Sequence, residues 1–216
     1  MQAEQKNLLR YLLPFLTFML LTELQRFGTA TSVFAIYALK TAATAAVLYF
    51  CFRGRPEEIP GTWDFRAVLL GLLVLALWIA SAALIPGDRT ITFDPSSLPA
   101  GGWRVAGILT RIAGAALVVP VMEELFWRSF WMRYWIRKDF LSVPIGSFTV
   151  FSFALTVIAF TLVHKSWEWP GTLLTGILYG AYLVKTRNLK SCILAHGVTN
   201  LGLAIYIILT QQWYFW

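Results

Sequence analysis

Long runs of apolar residues alternate with short polar segments along most of the chain. A helix needs about 20 predominantly apolar residues to cross the hydrocarbon core of a bilayer. Residues 65–85 meet this length with a single charged residue, Arg66, near the beginning. The pattern therefore predicts an all-α, polytopic transmembrane bundle of about seven to eight helices. The predicted spans are residues 8–24, 29–52, 65–85, 103–135, 144–164, 172–185 and 191–210.

The fourth predicted span, residues 103–135, is too long for one ordinary crossing. Pro120 lies near its middle and lacks the N–H that a helical hydrogen bond requires. The span is therefore either one long tilted helix or two elements that meet near Pro120, and the second alternative gives the eighth helix. Residues 86–102 are rich in Pro, Gly, Asp and Ser and are predicted to form an exposed loop. Residues 1–216 are predicted to form a single integral membrane domain.

The composition supports a lipid environment. Apolar residues make up 58% of the 216 positions and charged residues 13%, whereas soluble domains have roughly 45–50% and about 25%. The two cysteines, Cys51 and Cys192, have no CxxC or similar spacing. They therefore predict neither a disulfide framework nor a zinc knuckle.

The net charge of +7 follows from basic residues that flank the predicted spans. No basic stripe or recognition motif accompanies them, so a nucleic-acid partner is not expected. Cytoplasmic loops of membrane proteins carry an excess of Lys and Arg, and this excess favours a cytoplasmic N-terminus. That orientation places Lys6, Arg10, Arg53, Arg55, Arg66, Arg133, Arg137, Lys138, Lys185, Arg187 and Lys190 inside, and Arg26, Arg89, Arg104 and Lys165 outside.

Ionisable residues within the apolar stretches are the candidate functional residues, because each is costly in a membrane unless it has a partner or a function. Glu124 and Arg128 are four residues apart, so a helix places them on one face as an ion pair. Glu123 is rotated by about 100° and is not neutralised by the same arginine. A buried carboxylate without a cationic partner can exchange protons near neutral pH. A purely structural ion pair is the alternative for this motif.

The only two histidines of the chain, His164 and His196, lie in two further apolar stretches. Phe160 precedes His164 by one helical turn, and Asn200 follows His196 by one turn. An imidazole and an amide on one face can both donate to an oxygen that develops negative charge. Three helices that converge would bring these groups and the glutamates to one intramembrane cavity.

A carboxylate and a histidine can orient and deprotonate a water molecule, or bind a metal that lowers the pKa of that water. With a second histidine and an asparagine at the oxyanion, the set predicts hydrolysis of a peptide bond. No GxSxG nucleophile motif and no HExxH zinc helix occurs in the sequence. A covalent acyl-enzyme and a soluble type of zinc protease are therefore not favoured.

Three motifs, Glu123-Glu124-xxx-Arg128, Phe160-xxx-His164 and His196-xxx-Asn200, follow in this order on separate hydrophobic segments. They resemble those of the CAAX protease and bacteriocin-processing (CPBP or Abi) family of intramembrane endopeptidases. The similarity covers about residues 119–201. The resemblance extends to the prokaryotic CAAX prenyl protease-related subgroup, which implies the inner (plasma) membrane of a prokaryote.

The resemblance implies a role for each motif residue. Glu123 and His164 would activate the water, His196 and Asn200 would hold the oxyanion, and Glu124 would act beside them in the catalytic set. The remaining supporting residues would be Arg128 and Phe160.

The resemblance implies alternatives for the cofactor and for the substrate. The family is described both as metalloproteases and as glutamate-dependent enzymes, so a divalent metal such as Zn, held by Glu123, His164 and His196, is one alternative. The implied partners are membrane lipid and a peptide or protein substrate. In one alternative this substrate is prenylated or tethered to the membrane in another way.

Two other classes of protein would also keep polar groups in the membrane. A non-catalytic scaffold or immunity protein would use them to hold helices together, since interhelical polar contacts stabilise membrane bundles by roughly 0.6–2 kcal/mol each. A proton-coupled transporter would use Glu and His as proton carriers. Transporters usually contain internal repeats with broken helices, and no such duplication is found in this sequence.

Overall fold

The chain folds into a bundle of helices. The computed structural model describes residues 2–28, 30–82, 84–85, 89–91 and 93–216, and only the backbone of residues 2–4, 30 and 31. Within these ranges short 3₁₀ turns connect seven helices and no strand occurs, so the all-α prediction is confirmed. The helices are α1 Gln2–Gln25, α2 Ala30–Phe52, α3 Phe65–Ser81, α4 Gly102–Tyr134, α5 Val150–Leu162, α6 Trp169–Thr186 and α7 Leu189–Thr210.

The helix bounds agree with the predicted spans except at a few ends. Helix α5 begins at Val150 rather than at residue 144, because Thr149 and Ser152 form a reciprocal capping box there. Helix α3 ends at Ser81 rather than at residue 85. Residue 29 of the second predicted span, residue 83 of the third, and residues 86–88 and 92 of the predicted loop lie outside the described residues.

Helix α4 runs unbroken past Pro120 for 33 residues. It does so by changing its winding: Gly114–Val118 and Glu124–Trp131 form π-helical turns on either side of a short α-helical segment, Val119–Glu123. Of the two alternatives for this stretch, the single long helix is therefore correct. In a π-turn the carbonyl of residue i accepts from the N–H of residue i+5 rather than from that of residue i+4. This change of pairing allows the helix to continue past a proline, which has no N–H to donate.

The helices have the length and surface expected in a membrane. Helices α1, α2, α4 and α7 each contain a segment that is long and apolar enough to cross a bilayer, judged by length and composition, while α3 and α5 are shorter apolar helices. Large apolar side chains such as Leu20, Leu117 and Leu209 are exposed on the outside of the bundle. An apolar surface of this extent is typical of a protein that contacts lipid.

Helices α3 and α7 approach closely at Gly71, and this contact positions the part of α7 that carries His196. A Cβ atom on Gly71 would lie 2.5 Å from the Ala195 carbonyl oxygen and 2.9 Å from Cβ of Val198. The Gly71 carbonyl in turn accepts a hydrogen bond of 2.7 Å from Thr199 Oγ1. Small residues allow helix backbones to approach in this way in membrane proteins.

We therefore expect Gly71→Ala to destabilise the bundle, because the new methyl group would overlap with the backbone of α7. Overpacking of this kind costs about 1–3 kcal/mol, and thermal unfolding in detergent measures the loss. Gly102→Ala is the matched control, since no atom lies within 4 Å of a Cβ at that position. Equal unfolding temperatures for the two variants would contradict the close α3–α7 contact.

Candidate active site

The Glu124 carboxylate is the centre of the polar cluster between α4 and α7. It lies at the start of the second π-helical segment and is fully buried. Its Oε1 accepts hydrogen bonds from Arg128 Nη1 at 3.2 Å and from His196 Nδ1 at 2.8 Å. The predicted Glu124–Arg128 ion pair is therefore present, and it is extended by a histidine from another helix that sequence spacing did not connect to it.

The His196 ring lies between two carboxylates. Its Nδ1 contacts Glu124, while its Nε2 lies 4.0 Å from Glu123 Oε2. Glu123 does not pair with Arg128 among the described residues, as expected from its rotation on the helix. The two glutamates nevertheless converge on one imidazole, because the nitrogens on opposite sides of the ring face different residues of α4.

His164 lies just beyond the end of α5, and its ring orientation is fixed by the backbone. Its Nδ1 is 2.7 Å from the Phe160 carbonyl oxygen, one turn earlier. The carbonyl can only accept, so Nδ1 carries a proton, and in the neutral ring Nε2 then has the lone pair. The Phe160 and Trp78 rings flank the imidazole, with centroids 4.8 Å and 6.1 Å away.

The Asn200 side chain is held by the Ala115 carbonyl, which lacks a helical N–H donor because of Pro120. In the first π-helical segment the Val119 N–H bonds to the Gly114 carbonyl. The same pattern would pair the Ala115 carbonyl with the N–H of residue 120, which proline lacks. Asn200 Nδ2 donates to that Ala115 carbonyl at 2.8 Å. An amide nitrogen carries two hydrogens, so the second one is free for another acceptor.

One cavity of about 270 Å³ joins these groups, with Glu123, His164, His196 and Asn200 on its wall. This volume is close to the lower end of the range for small-ligand sites, about 300–1,000 Å³. The shared cavity agrees with the sequence-based expectation of converging helices. It places a carboxylate, two imidazoles and an amide around one space, which is a combination suited to hydrolysis.

The predicted metal ligands do not form a three-ligand set. Glu123 is next to His196, but no contact joins it to His164 within the described part of the chain. Nor do any three His, Cys, Asp or Glu side chains of the described residues lie close enough together to hold a metal ion. The residues present thus do not fit the zinc set of two histidines and a glutamate that the sequence left open.

Several residues of the cavity wall were not singled out from the sequence. Tyr179 stacks obliquely beside His196, with ring centroids 5.6 Å apart, and its hydroxyl is 2.6 Å from Thr199 Oγ1. Lys40 and Arg111 line the same cavity. The two cations had a sequence signal, because each is a charged residue within an apolar span, which is costly without a function. Tyr179 had none, since a tyrosine within a helix is ordinary.

Comparison with known families agrees with the motifs. Residues 105–202, somewhat less than half of the chain, match the family model of the type II CAAX prenyl endopeptidase Rce1-like proteins. The predicted resemblance to CAAX proteases is thereby confirmed over this segment, which contains all three motifs. No curated protein and no solved structure is significantly similar to the chain. The family match together with the apolar helices indicates a protease of the membrane that acts on a peptide or protein.

We expect Arg128→Ala to lower the stability of the protein strongly, because Glu124 would keep only one partner in a fully buried position. Removing one member of a buried ion pair typically costs about 3–5 kcal/mol. Arg66→Ala is the control, since Arg66 forms an exposed ion pair with Asp64, and such pairs contribute little. Thermal unfolding of both variants in detergent tests the difference; an Arg128→Ala protein as stable as Arg66→Ala would show that the buried pair is dispensable.

Proposed function

We propose that the protein is an intramembrane endopeptidase that hydrolyses a peptide bond near the end of a CAAX-type, membrane-tethered substrate. The single observation that supports this most is the shared cavity, which has Glu123, His164, His196 and Asn200 on its wall. These are the residues to which the family resemblance assigns catalysis. The family match over residues 105–202 supports the class of reaction.

In the proposed mechanism Glu123 is the general base. It is the cavity carboxylate that has no arginine partner among the described residues, whereas Glu124 is occupied by Arg128 and His196. Glu123 takes a proton from a water molecule, and the resulting hydroxide attacks the scissile carbonyl carbon. The free Nε2 of His164 accepts a hydrogen bond from the same water and orients it. When the C–N bond breaks, the proton on Glu123 passes to the leaving amine.

His196 and Asn200 stabilise the oxyanion of the tetrahedral intermediate in this scheme. The second N–H of Asn200 is available for this, because the first is engaged with Ala115. Nε2 of His196 donates when the ring carries both protons, and the carboxylates on either side of the ring balance that charge. Donors aimed at developing charge in a water-poor site are among the largest contributions to catalysis.

Glu124 and Arg128 position His196 rather than react. The hydrogen bond from Nδ1 to Glu124 fixes the ring orientation and thereby the direction of Nε2, in the way that carboxylates orient catalytic histidines. The Arg128 guanidinium is itself held over the Phe160 ring, 4.6 Å from its centroid. No step is assigned to a metal, because the described side chains do not provide three converging ligands.

The proposed setting is the inner (plasma) membrane of a prokaryote, with the N-terminus in the cytoplasm. The distribution of Lys and Arg between the predicted loops supports this orientation. A prenylated peptide is the proposed substrate form, since a lipid-anchored chain can enter a cavity within the bundle from the bilayer. A scaffold function would need the ion pair but not the cavity carboxylate, so the two proposals differ in what Glu123 contributes.

Glu123→Gln should abolish hydrolysis of a farnesylated CAAX peptide while leaving the unfolding temperature nearly unchanged. The amide keeps the volume of the side chain but cannot take the proton of water, and a general base contributes about 10²–10⁴ in rate. The measurement is peptide cleavage by purified protein in detergent or liposomes. Glu57→Gln, a change at an exposed glutamate, should retain full activity. An active Glu123→Gln enzyme would assign the general base to another group.

Asn200→Ala should lower turnover by about 10²–10³, as for other oxyanion donors, with little change in substrate affinity. It also removes the hydrogen bond to Ala115, so turnover is measured per folded molecule. Pro120→Ala provides the control, because an N–H at position 120 can pair with the Ala115 carbonyl. The double variant Pro120→Ala/Asn200→Ala should regain stability but not turnover. Normal turnover of folded Asn200→Ala protein would limit Asn200 to a structural role.

A further inference from the structure

Lys40 is a basic residue deep within the bundle, and the side chains that the structure describes include no carboxylate partner for it. It lies in the middle of α2, and only 3% of its surface is exposed. Its ammonium group donates to two neutral oxygens of α1, Thr22 Oγ1 at 3.1 Å and Gln25 Oε1 at 3.0 Å. The Phe18 ring, 4.5 Å away, packs on the same group. These contacts orient the ammonium but do not neutralise it.

Arg111 brings a second cation to the same place. The Lys40 ammonium and the Arg111 guanidinium lie 4.9 Å and 4.3 Å from the centroid of one ring, that of Tyr37. Arg111 Nε is buried and has no hydrogen-bond partner among the described residues. Among the side chains that the structure describes, no carboxylate lies within ion-pair distance of either cation.

Two cations that share a low-dielectric cavity repel each other and have lost much of their hydration. This arrangement is costly unless an anion joins them, because buried charges are normally paired. Both side chains line the cavity that also contains Glu123 and Asn200. An anionic group of the substrate itself would enter this cavity together with the scissile bond, so it is the anion best placed to pair with both side chains.

The spacing between the cations and the hydrolytic groups suits the end of a peptide. Arg111 precedes Ala115 by one turn of α4, about 6 Å along the helix axis, and the Ala115 carbonyl is the group that holds Asn200. An extended peptide covers about 3.3–3.6 Å per residue. By this spacing along the helix, a carboxylate bound by Arg111 and Lys40 would lie about two residues beyond a carbonyl bound at Asn200.

We infer that Lys40 and Arg111 form a receptor for the free C-terminal carboxylate of the substrate, which selects chain ends and sets the number of residues released. This inference rests on the proposed function, since it assigns a further subsite to the same cavity. The guanidinium and ammonium groups supply charge-assisted hydrogen bonds to the carboxylate. An internal peptide segment or an amidated end would leave both cations unpaired and would be rejected.

The test compares two farnesylated CAAX peptides that are identical except for a free carboxylate or an amide at the C-terminus. Binding is measured by fluorescence polarisation to purified Glu123→Gln protein, so that hydrolysis does not interfere. We expect the free acid to bind at least about tenfold more tightly than the amide, as is typical for loss of a charge-assisted contact. Equal affinity for the two peptides would overturn the inference without any further variant.

Two substitutions test whether the preference for the free acid over the amide comes from Lys40 and Arg111. Adding Lys40→Met or Arg111→Met should reduce the preference for the acid to less than about threefold, by weakening binding of the acid and not of the amide. Lys185→Met, which removes an exposed charge on α6, should leave the preference unchanged. A tenfold preference that survives both cavity substitutions would place the carboxylate elsewhere and overturn the inference.

Cleavage by the unaltered enzyme separates this inference from the proposed function. Cleavage of the acid with a much higher kcat/KM than the amide supports both. Equal cleavage of both peptides leaves the endopeptidase intact and removes the carboxylate receptor. Selective binding of the acid without cleavage of either peptide supports the receptor and overturns the proposed hydrolysis.

Discussion

The burial of the Glu124 carboxylate is the constraint on which the rest of the site depends. A fully buried carboxylate requires partners in place, and it obtains them from Arg128 on its own helix and His196 on another. The hydrogen bond to His196 fixes the imidazole, and this orientation turns Nε2 toward Glu123. One electrostatic requirement thus joins α4 to α7 and defines the geometry of the cavity wall.

A second constraint acts on the backbone. Pro120 cannot donate, so α4 changes to π-helical winding and the Ala115 carbonyl takes its hydrogen bond from Asn200. Side chains of α7 therefore satisfy both a charge and a carbonyl of α4, at His196 and at Asn200, one turn apart. Both contacts fix the same stretch of α7. The two residues to which the proposed mechanism assigns the oxyanion are therefore positioned by contacts that also stabilise the fold.

The sequence was sufficient for the parts of this arrangement that depend on local spacing. Apolar run lengths predicted the helices, and the i, i+4 rule predicted the Glu124–Arg128 pair. The contacts between Glu124 and His196 and between Asn200 and Ala115 join residues 72 and 85 positions apart, and no periodicity encodes which helices face each other. Lys40 and Arg111 show a different limit of sequence-based prediction. The free-energy cost of a charged residue within an apolar span is evident from the sequence, but the proximity of both residues to Tyr37 depends on the tertiary fold.

The cavity has two kinds of wall, and they come from different parts of the chain. The residues proposed to carry out hydrolysis, Glu123, His164, His196 and Asn200, all lie within residues 105–202, the segment that matches the family model. Four further residues of the lining, Phe18, Thr22, Tyr37 and Lys40, belong to α1 and α2, outside that segment. Substitutions in the first two helices can therefore change the shape of the cavity, while the residues proposed for hydrolysis stay unchanged. If the proposed activity holds, such a division would allow a change of substrate through substitutions in α1 and α2 alone.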